Sequence, residues 1–343
     1  MEAKFLLSTS KVLKKFDEVK NMSDIVSYSS KTNPRVTQIL ENNTDCWFSI
    51  HLLNELKNIT DLSRVLFLAQ AWNYNLIDSL INKGVDKFVL DNISDLNILL
   101  SYLSKNDVKI DLMLRIKLKE NTIRTEKYYV FGISSKEVNY LIKDLKNNEK
   151  IRSLGIHFHR KTQNMSEWNL ESEFCEIIDD EVIKIVDYVN IGGGLPSVYA
   201  NTNIKVFDSI KKKILEFKEF LNERDVKMII EPGRFIAAPS IELITEVIGV
   251  NENTIIVNAS VYNSDLDALI VPVKLRVKGE LKKGEGTPYI IKGLTPCSLD
   301  LFRYRVYIKD IKVGDKLIFE NAGAYNFRSD FCDLEKIETE IVK

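Results

Sequence analysis

Eight short apolar runs, each followed by a stretch of helical spacing or turns, constrain this chain more than any other feature of its sequence. They are Asp24–Ser29, Cys46–Ile50, Arg64–Ala69, Lys87–Asp91, Ile110–Ile116, Ser153–His159, Tyr188–Gly192 and Lys227–Glu231. Between them, Asn73–Lys83, Ser94–Leu103, Ser134–Lys146 and Val206–Leu221 carry helical periodicity, the first of them closed by Gly84. Strands buried on both faces read as unbroken apolar runs, and eight such strands alternating with helices are what a (β/α)8 TIM-like barrel needs. A doubly wound open sheet is the other arrangement these units allow.

After about residue 240 the rhythm changes. Glu242–Val250, Thr254–Ser260, Val271–Lys278, Tyr289–Ile291 and Lys316–Glu320 read as strands, separated by turn signals such as Lys-Lys-Gly-Glu-Gly at 282–286 and Val-Gly-Asp at 313–315, with no long helix between them. A length of 343 residues suits two domains, an α/β barrel and a second, all-β one.

The charge balance narrows the function. With 48 Lys and Arg against 49 Asp and Glu, the net charge is −1, so neither nucleic acid nor an anionic membrane surface is expected as a partner. Cys46, Cys175, Cys297 and Cys332 are far apart and form no C-x-x-C pair, which speaks against a disulfide scaffold or a zinc ribbon and for reduced thiols. The first ten residues hold only a three-residue apolar run, too short for the core of a signal peptide, and no stretch approaches the roughly 20 apolar residues that span a bilayer. A cytoplasmic location is the resulting expectation.

In a barrel the carboxyl ends of the strands carry the chemistry. The first ends in Ser-Ser-Lys31-Thr-Asn33, and an amine held partly out of water there is a competent Schiff-base nucleophile, although a solvated lysine is the commoner state of any one among 48 basic residues. His157 and His159, two positions apart on a strand, face the same side. No acidic residue or cysteine beside them completes a metal set, so no metal is expected; His159, nearer the strand end, suits a flat ring packed over a planar cofactor and His157 a hydrogen-bonded core position. Gly192-Gly193-Gly194 fails as a dinucleotide fingerprint because Ser197 stands where the third glycine belongs, yet it offers free N–H groups to a phosphate, joined by Gly233 and Arg234. Glu231 is a carboxylate aimed into the mouth, where it requires a cation or a protonated nitrogen to face it, or a salt bridge to Arg234 or another basic side chain.

Taken in order, these motifs resemble those of the fold-type III pyridoxal-phosphate decarboxylases, the family of ornithine, arginine, lysine, diaminopimelate and carboxynorspermidine decarboxylases. Tyr28-Ser-Ser-Lys31-Thr-Asn33 is similar to its Tyr-x-x-Lys-Ala-Asn, Phe131-Gly132 to its Phe-Gly, and Phe158-His159 with Thr162-Gln163 to its Phe-His-Val-Gly-Ser-Gln. Gly192–Gly194, Glu231-Pro232-Gly233-Arg234, Pro296-Cys297 and Gly323-Ala324-Tyr325 complete the set, which runs from Phe5 to about Asn326. The resemblance implies a pyridoxal 5′-phosphate barrel over 24–235 and a β domain formed by 1–23 plus 236–343. It implies catalytic roles for Lys31 as the cofactor-bearing lysine, for His159 stacked on the ring and for Cys297 as the acid that protonates the decarboxylated carbon. Glu231 would pair with the ring nitrogen, and Thr162, Gly192, Gly193, Gly194, Gly233, Arg234 and Tyr325 would hold the phosphate. The same resemblance implies a homodimer that shares its active sites, Cys297 coming from the other subunit.

Three departures bear on the substrate. Where diamine-forming members carry an acidic residue after the cysteine and a second aspartate four positions on, this chain reads Cys297-Ser298-Leu299-Asp300. Arg160 and Lys161 replace small residues of the phosphate loop, and Val257–Asn263 lacks the family's substrate-contacting aspartate, none preceding Asp265. Ser298, Asp300 and Tyr325 are therefore the expected substrate contacts. The expected activity is removal of the α-carboxylate from a basic or diamino-type amino acid, or from a carboxy-aminopropyl intermediate, in amino-acid and polyamine metabolism. A racemase or epimerase of the same fold, and an inactive regulatory binding protein similar to antizyme inhibitors, are the alternatives; joint retention of Lys31, Glu231 and Cys297 argues against the second.

Overall fold

A computed structural model describes residues 1–117, 131–202 and 204–343. The chain divides into two compact units, one of Phe16–Pro196 and Lys205–Gly233, the other of Met1–Lys15, Ser197–Ile204 and Arg234–Lys343.

The second unit begins with β1 (Lys4–Ser8). The first is a closed barrel of eight parallel strands: β2 (Ile25–Ser29), β3 (Trp47–Ile50), β4 (Val65–Ala69), β5 (Lys87–Leu90), β6 (Ile110–Arg115), β7 (Ile151–His157), β8 (Tyr188–Asn190) and β9 (Lys227–Ile230). Closure comes from β2 against β9, with Ile25 opposite Ile229 and Val26 opposite Ile230. The apolar runs are continuous because both faces are covered, and Leu66, Val89, Met113 and Ile229 from four strands pack as one interior cluster. The open-sheet alternative is excluded by this closure.

Local chemistry fixes where the helices begin. Ser134 accepts from the Glu137 amide while Glu137 accepts from the Ser134 amide, a capping box that starts the helix Ser135–Leu145. Asn73 and Asn92 cap Tyr74–Asn82 and Ile93–Leu103 in the same side-chain-to-backbone manner. Gly84, at φ +91°, turns the chain after the first of these two.

The other unit is an eight-stranded sheet. Its further strands are β10 (Ile241–Asn251), β11 (Thr254–Val257), β12 (Arg276–Val277), β13 (Thr287–Lys292), β14 (Leu301–Ile308), β15 (Lys316–Glu320) and β16 (Glu338–Val342), with β10 long enough to pair with β1, β11 and β15. Short helices at Val261–Ser264 and Asp267–Ile270 occupy the stretch after β11. The expected Val271–Lys278 strand reduces to Arg276–Val277, and β14, interrupted by Arg303 and Arg305, was not among the expected strands. Among the described residues no helix is long and apolar enough to cross a membrane.

Candidate active site

The Tyr28–Asn33 motif owes its spacing to local wiring. The Tyr28 hydroxyl donates to the Asn33 carbonyl at 3.2 Å, and the Asn33 side chain caps the helix Pro34–Asn43 by accepting from the Arg35 amide at 3.0 Å. Pro34 occupies the first turn, where its missing N–H costs nothing. Between these two fixed points a single 3-10 turn, Ser30–Thr32, holds Lys31 at the mouth end of β2. The lysine is exposed rather than desolvated as the sequence suggested, and its Nζ lies 3.3 Å from His51 Nε2.

His51 was not singled out by the sequence reading. The available signal was its place directly after the second apolar run, the same place that drew attention to Lys31. Burial and the neighbouring Lys31 charge push its pKa down to about 4, so the ring is neutral. A lysine ammonium only donates, so Nε2 must be the acceptor and the proton sits on Nδ1.

Glu231 follows β9 and is 5% exposed. Burial alone would raise its pKa, but the neighbouring His157 ring, the Asn190 amide and His159 outweigh it and bring the carboxyl down to about 2. Asn190 Nδ2 donates to its Oε1 at 2.9 Å, and His157 Nε2 stands 3.6 Å from Oε2. No lysine or arginine pairs with Glu231 among the described residues; Arg234, weighed as its partner, is engaged elsewhere. His157 is buried, and neither ring nitrogen has a hydrogen bond within normal range, so the hydrogen-bonded core position expected for it is realised only as the long contact to Glu231. Arg115, at the end of β6, was also unread; burial lowers its pKa first, with Asp91 and Glu231 opposing.

The glycines at 192–194 let neighbouring strand ends approach closely. A Cβ on Gly192 would lie 2.5 Å from the Phe158 carbonyl oxygen and one on Gly193 2.7 Å from that of Glu231. Two of the three amides expected to be free are occupied: Gly192 donates to Asn190 Oδ1 at 2.9 Å, and Gly193 to His159 Nδ1 at 3.2 Å. The second bond puts the His159 proton on Nε2 and fixes the ring plane. Burial and the Arg115 charge lower the pKa of that ring to about 3, so it too is neutral. The chain 161–164, with Thr162, packs beside Gly194, whose carbonyl accepts from the Asn164 amide at 2.9 Å. Arg160 does not face a ligand: it is 2% exposed and donates to the Glu167 carbonyl at 2.7 Å and to Glu173 at 3.1 Å.

Gly233 has a packing reason of its own, since a Cβ there would lie 2.2 Å from Thr32 Oγ1, beside Lys31. Gly233→Ala is expected to cost about 1–3 kcal/mol through overpacking. Urea unfolding checks this, and a change below about 0.5 kcal/mol, the range of neutral surface substitutions, would contradict the contact.

The sheet unit carries the remaining candidates. Arg234 is buried and ion-paired to Asp267, donates to Tyr199 OH at 3.2 Å, and has its guanidinium 5.2 Å from the Tyr325 ring centroid. Burial drives the nearby Asp265 up to about 8, against the opposing pull of Arg234. Asp300, expected at the substrate, is fully buried: Oδ1 accepts from Val261 N at 2.9 Å, and Oδ2 from Thr295 N at 3.0 Å and Thr295 Oγ1 at 2.7 Å. Its hydrogen-bonding capacity is engaged inside the fold, so it locks the loop that carries Cys297. Ser298 is exposed, and Cys297 Sγ lies 3.3 Å from the Tyr262 hydroxyl.

The profile of the family described as pyridoxal-dependent decarboxylase, pyridoxal binding domain, matches residues 9–238. The chain belongs to this family. Among its relatives, a probable ornithine decarboxylase from Dictyostelium discoideum is 24% identical over 96% of this chain and 76% of its own length. A diaminopimelate decarboxylase from Helicobacter pylori is 25% identical over 89% of this chain and 80% of its own. The crystal structure of diaminopimelate decarboxylase from Helicobacter pylori complexed with L-lysine superposes with a TM-score of 0.83 at 22% identity, covering 100% of this chain and 92% of that one. This decarboxylase thus shares the barrel-plus-sheet fold of solved members of its family.

Proposed function

We propose that this decarboxylase removes the α-carboxylate of an amino acid bearing a second amino group, with pyridoxal phosphate carried on Lys31. The observation that carries the reading is the pairing of unlike groups on neighbouring strands. Lys31 follows β2 and Glu231 follows β9, which close the barrel against each other, and Glu231 is a buried carboxylate that no lysine or arginine pairs among the described residues. Such a carboxylate fits a protonated ring nitrogen, while the exposed Lys31 amine fits an aldehyde.

When bound, pyridoxal phosphate supplies an electron sink for the charge left as CO2 departs. Glu231 holds a proton opposite its carboxylate. Asn190 and His157 keep that carboxylate in place. His159, fixed by the Gly193 amide, presents a neutral planar ring just beyond β7. His51 accepts from the Lys31 amine and limits its swing. The Gly194 amide, Thr162 and the backbone at Gly233 would take the phosphate, whereas the Arg234 guanidinium is engaged by Asp267 and lies over the Tyr325 ring. Cys297, brought by a second subunit of a homodimer, would return a proton to the carbon that lost the carboxylate, with Ser298 and Tyr325 nearest the substrate side chain.

The relatives are named as a probable ornithine decarboxylase and a diaminopimelate decarboxylase, and both of those amino acids carry a second amine, which supports that substrate class. A CO2-release screen over basic amino acids, diaminopimelate and carboxynorspermidine is expected to give turnover with one of them and an equimolar amine. Inversion at the α-carbon without CO2 would replace this reading by a racemase, and cofactor binding without any turnover by a regulatory protein.

A further inference from the structure

The hydroxyl of Tyr262 and the thiol of Cys297 meet at 3.3 Å although the residues lie 35 apart in sequence. Both ends of this contact are rigidly held. The Tyr262 ring stacks on Phe331 with centroids 3.9 Å apart and planes 18° from parallel, and the Tyr262 carbonyl accepts from both Ser329 N at 2.9 Å and Ser329 Oγ at 2.8 Å. On the other side the buried Asp300 ties the two segments together: its amide donates to the Cys297 carbonyl at 3.1 Å, while its Oδ1 accepts from Val261 N, the residue before Tyr262. The short Cys297–Asp300 turn is thereby riveted to the Val261–Ser264 helix, and the hydroxyl faces the sulfur because of it.

We propose that Tyr262 is the positioning residue of Cys297, aiming Sγ and donating its hydroxyl proton in a hydrogen bond that strengthens as the sulfur becomes a thiolate. A phenol O–H is a strong donor and a neutral S–H a weak one, so the bond favours the ionised sulfur over the protonated one. The surrounding groups agree in sign. Tyr262, followed by the Leu299 and Asp300 amides, lowers the Cys297 pKa against desolvation and the Asp300 charge, while the bond to Cys297 pushes the Tyr262 phenol up to about 12, with Asp300 and Cys332 adding to it. The inference rests on the reading of Cys297 as the acid. When the S–H bond breaks, its proton passes to the substrate carbon, the electron pair stays on sulfur, and Tyr262 stabilises the thiolate that remains. An acid whose pKa is drawn toward the working pH gives up its proton more readily.

The test is the pH profile of iodoacetamide alkylation of the full-length protein, read by peptide mass at Cys297 separately from Cys46, Cys175 and Cys332. Tyr262→Phe keeps the ring on Phe331 and removes only the hydroxyl. It is expected to raise the Cys297 midpoint by about half a unit to one unit, lowering the thiolate fraction near neutral pH roughly three- to tenfold. Tyr262→Leu, which lacks ring and hydroxyl, is expected to shift it at least as far. A Cys297 midpoint unmoved in either variant, each with native circular dichroism, overturns the proposal whatever the activity. A midpoint that moves while amine yield per CO2 is unchanged supports the pairing and removes Cys297 from the role of acid.

Discussion

Lys31→Ala is expected to abolish the visible absorption band of lysine-bound pyridoxal phosphate and to lower CO2 release by at least about 1000-fold, as loss of a covalent nucleophile does. The protein should remain folded. Lys31 is exposed and, among the described residues, its side chain makes one hydrogen bond, at 3.3 Å to His51, so the stability change should fall within about 0.5 kcal/mol, as for other surface positions. Lys31→Arg separates chemistry from charge, since it retains the cation but offers no amine. Both variants should still bind the cofactor non-covalently, because the Gly194 amide, Thr162 and Glu231 make no contact with Lys31 among the described residues. Borohydride reduction followed by peptide mass mapping gives the decisive reading: cofactor mass on the Ser30–Thr32 peptide of the native protein and on no peptide of either variant. A band that survives the alanine substitution, or label on another lysine, would refute the assignment.

The barrel was legible because parallel strands buried on both faces leave a one-dimensional trace, and the observed bounds, for example Lys87–Leu90 against the expected Lys87–Asp91, follow the apolar runs closely. The sheet unit was less so. In β14 the sequence LFRYRVYI mixes Arg303 and Arg305 into the strand, and only the fold reveals that Arg303 turns inward to pair with Glu280 at 2.7 Å. The four-residue helices after β11 are about one turn long and leave no repeating pattern to read. In the site, residue types were readable from strand ends, but the routing of hydrogen bonds was not. Arg234 finds Asp267 and Asp300 finds Val261 across 33 and 39 residues, and no local spacing encodes such pairs. The same routing occupies two of the glycine amides that the sequence alone left free for a phosphate.

Glu231 permits a test in which function and stability are read separately. Glu231→Gln keeps the shape and the acceptor for Asn190 Nδ2 but removes the charge, and is expected to lower kcat/KM roughly 100-fold or more, the size of effect seen when one preorganised electrostatic group is lost. Glu231→Ala also leaves the Asn190 amide and the His157 ring around a void, so it should cost about 2–4 kcal/mol in urea unfolding as well. The acid limb distinguishes the charge from the packing. The folded-state pKa is depressed from 4.5 to about 2, so the stability contributed by the carboxylate is complete above about pH 4.5 and is lost as the pH falls toward 2. The stability gap between native protein and Glu231→Gln should therefore be widest near neutrality and shrink across that window, while the gap to Glu231→Ala keeps its packing component throughout. A Glu231→Gln protein with activity within about twofold of native would show that no protonated nitrogen depends on this carboxylate, because losing a charge-assisted partner costs more than the RT ln 2 that twofold represents.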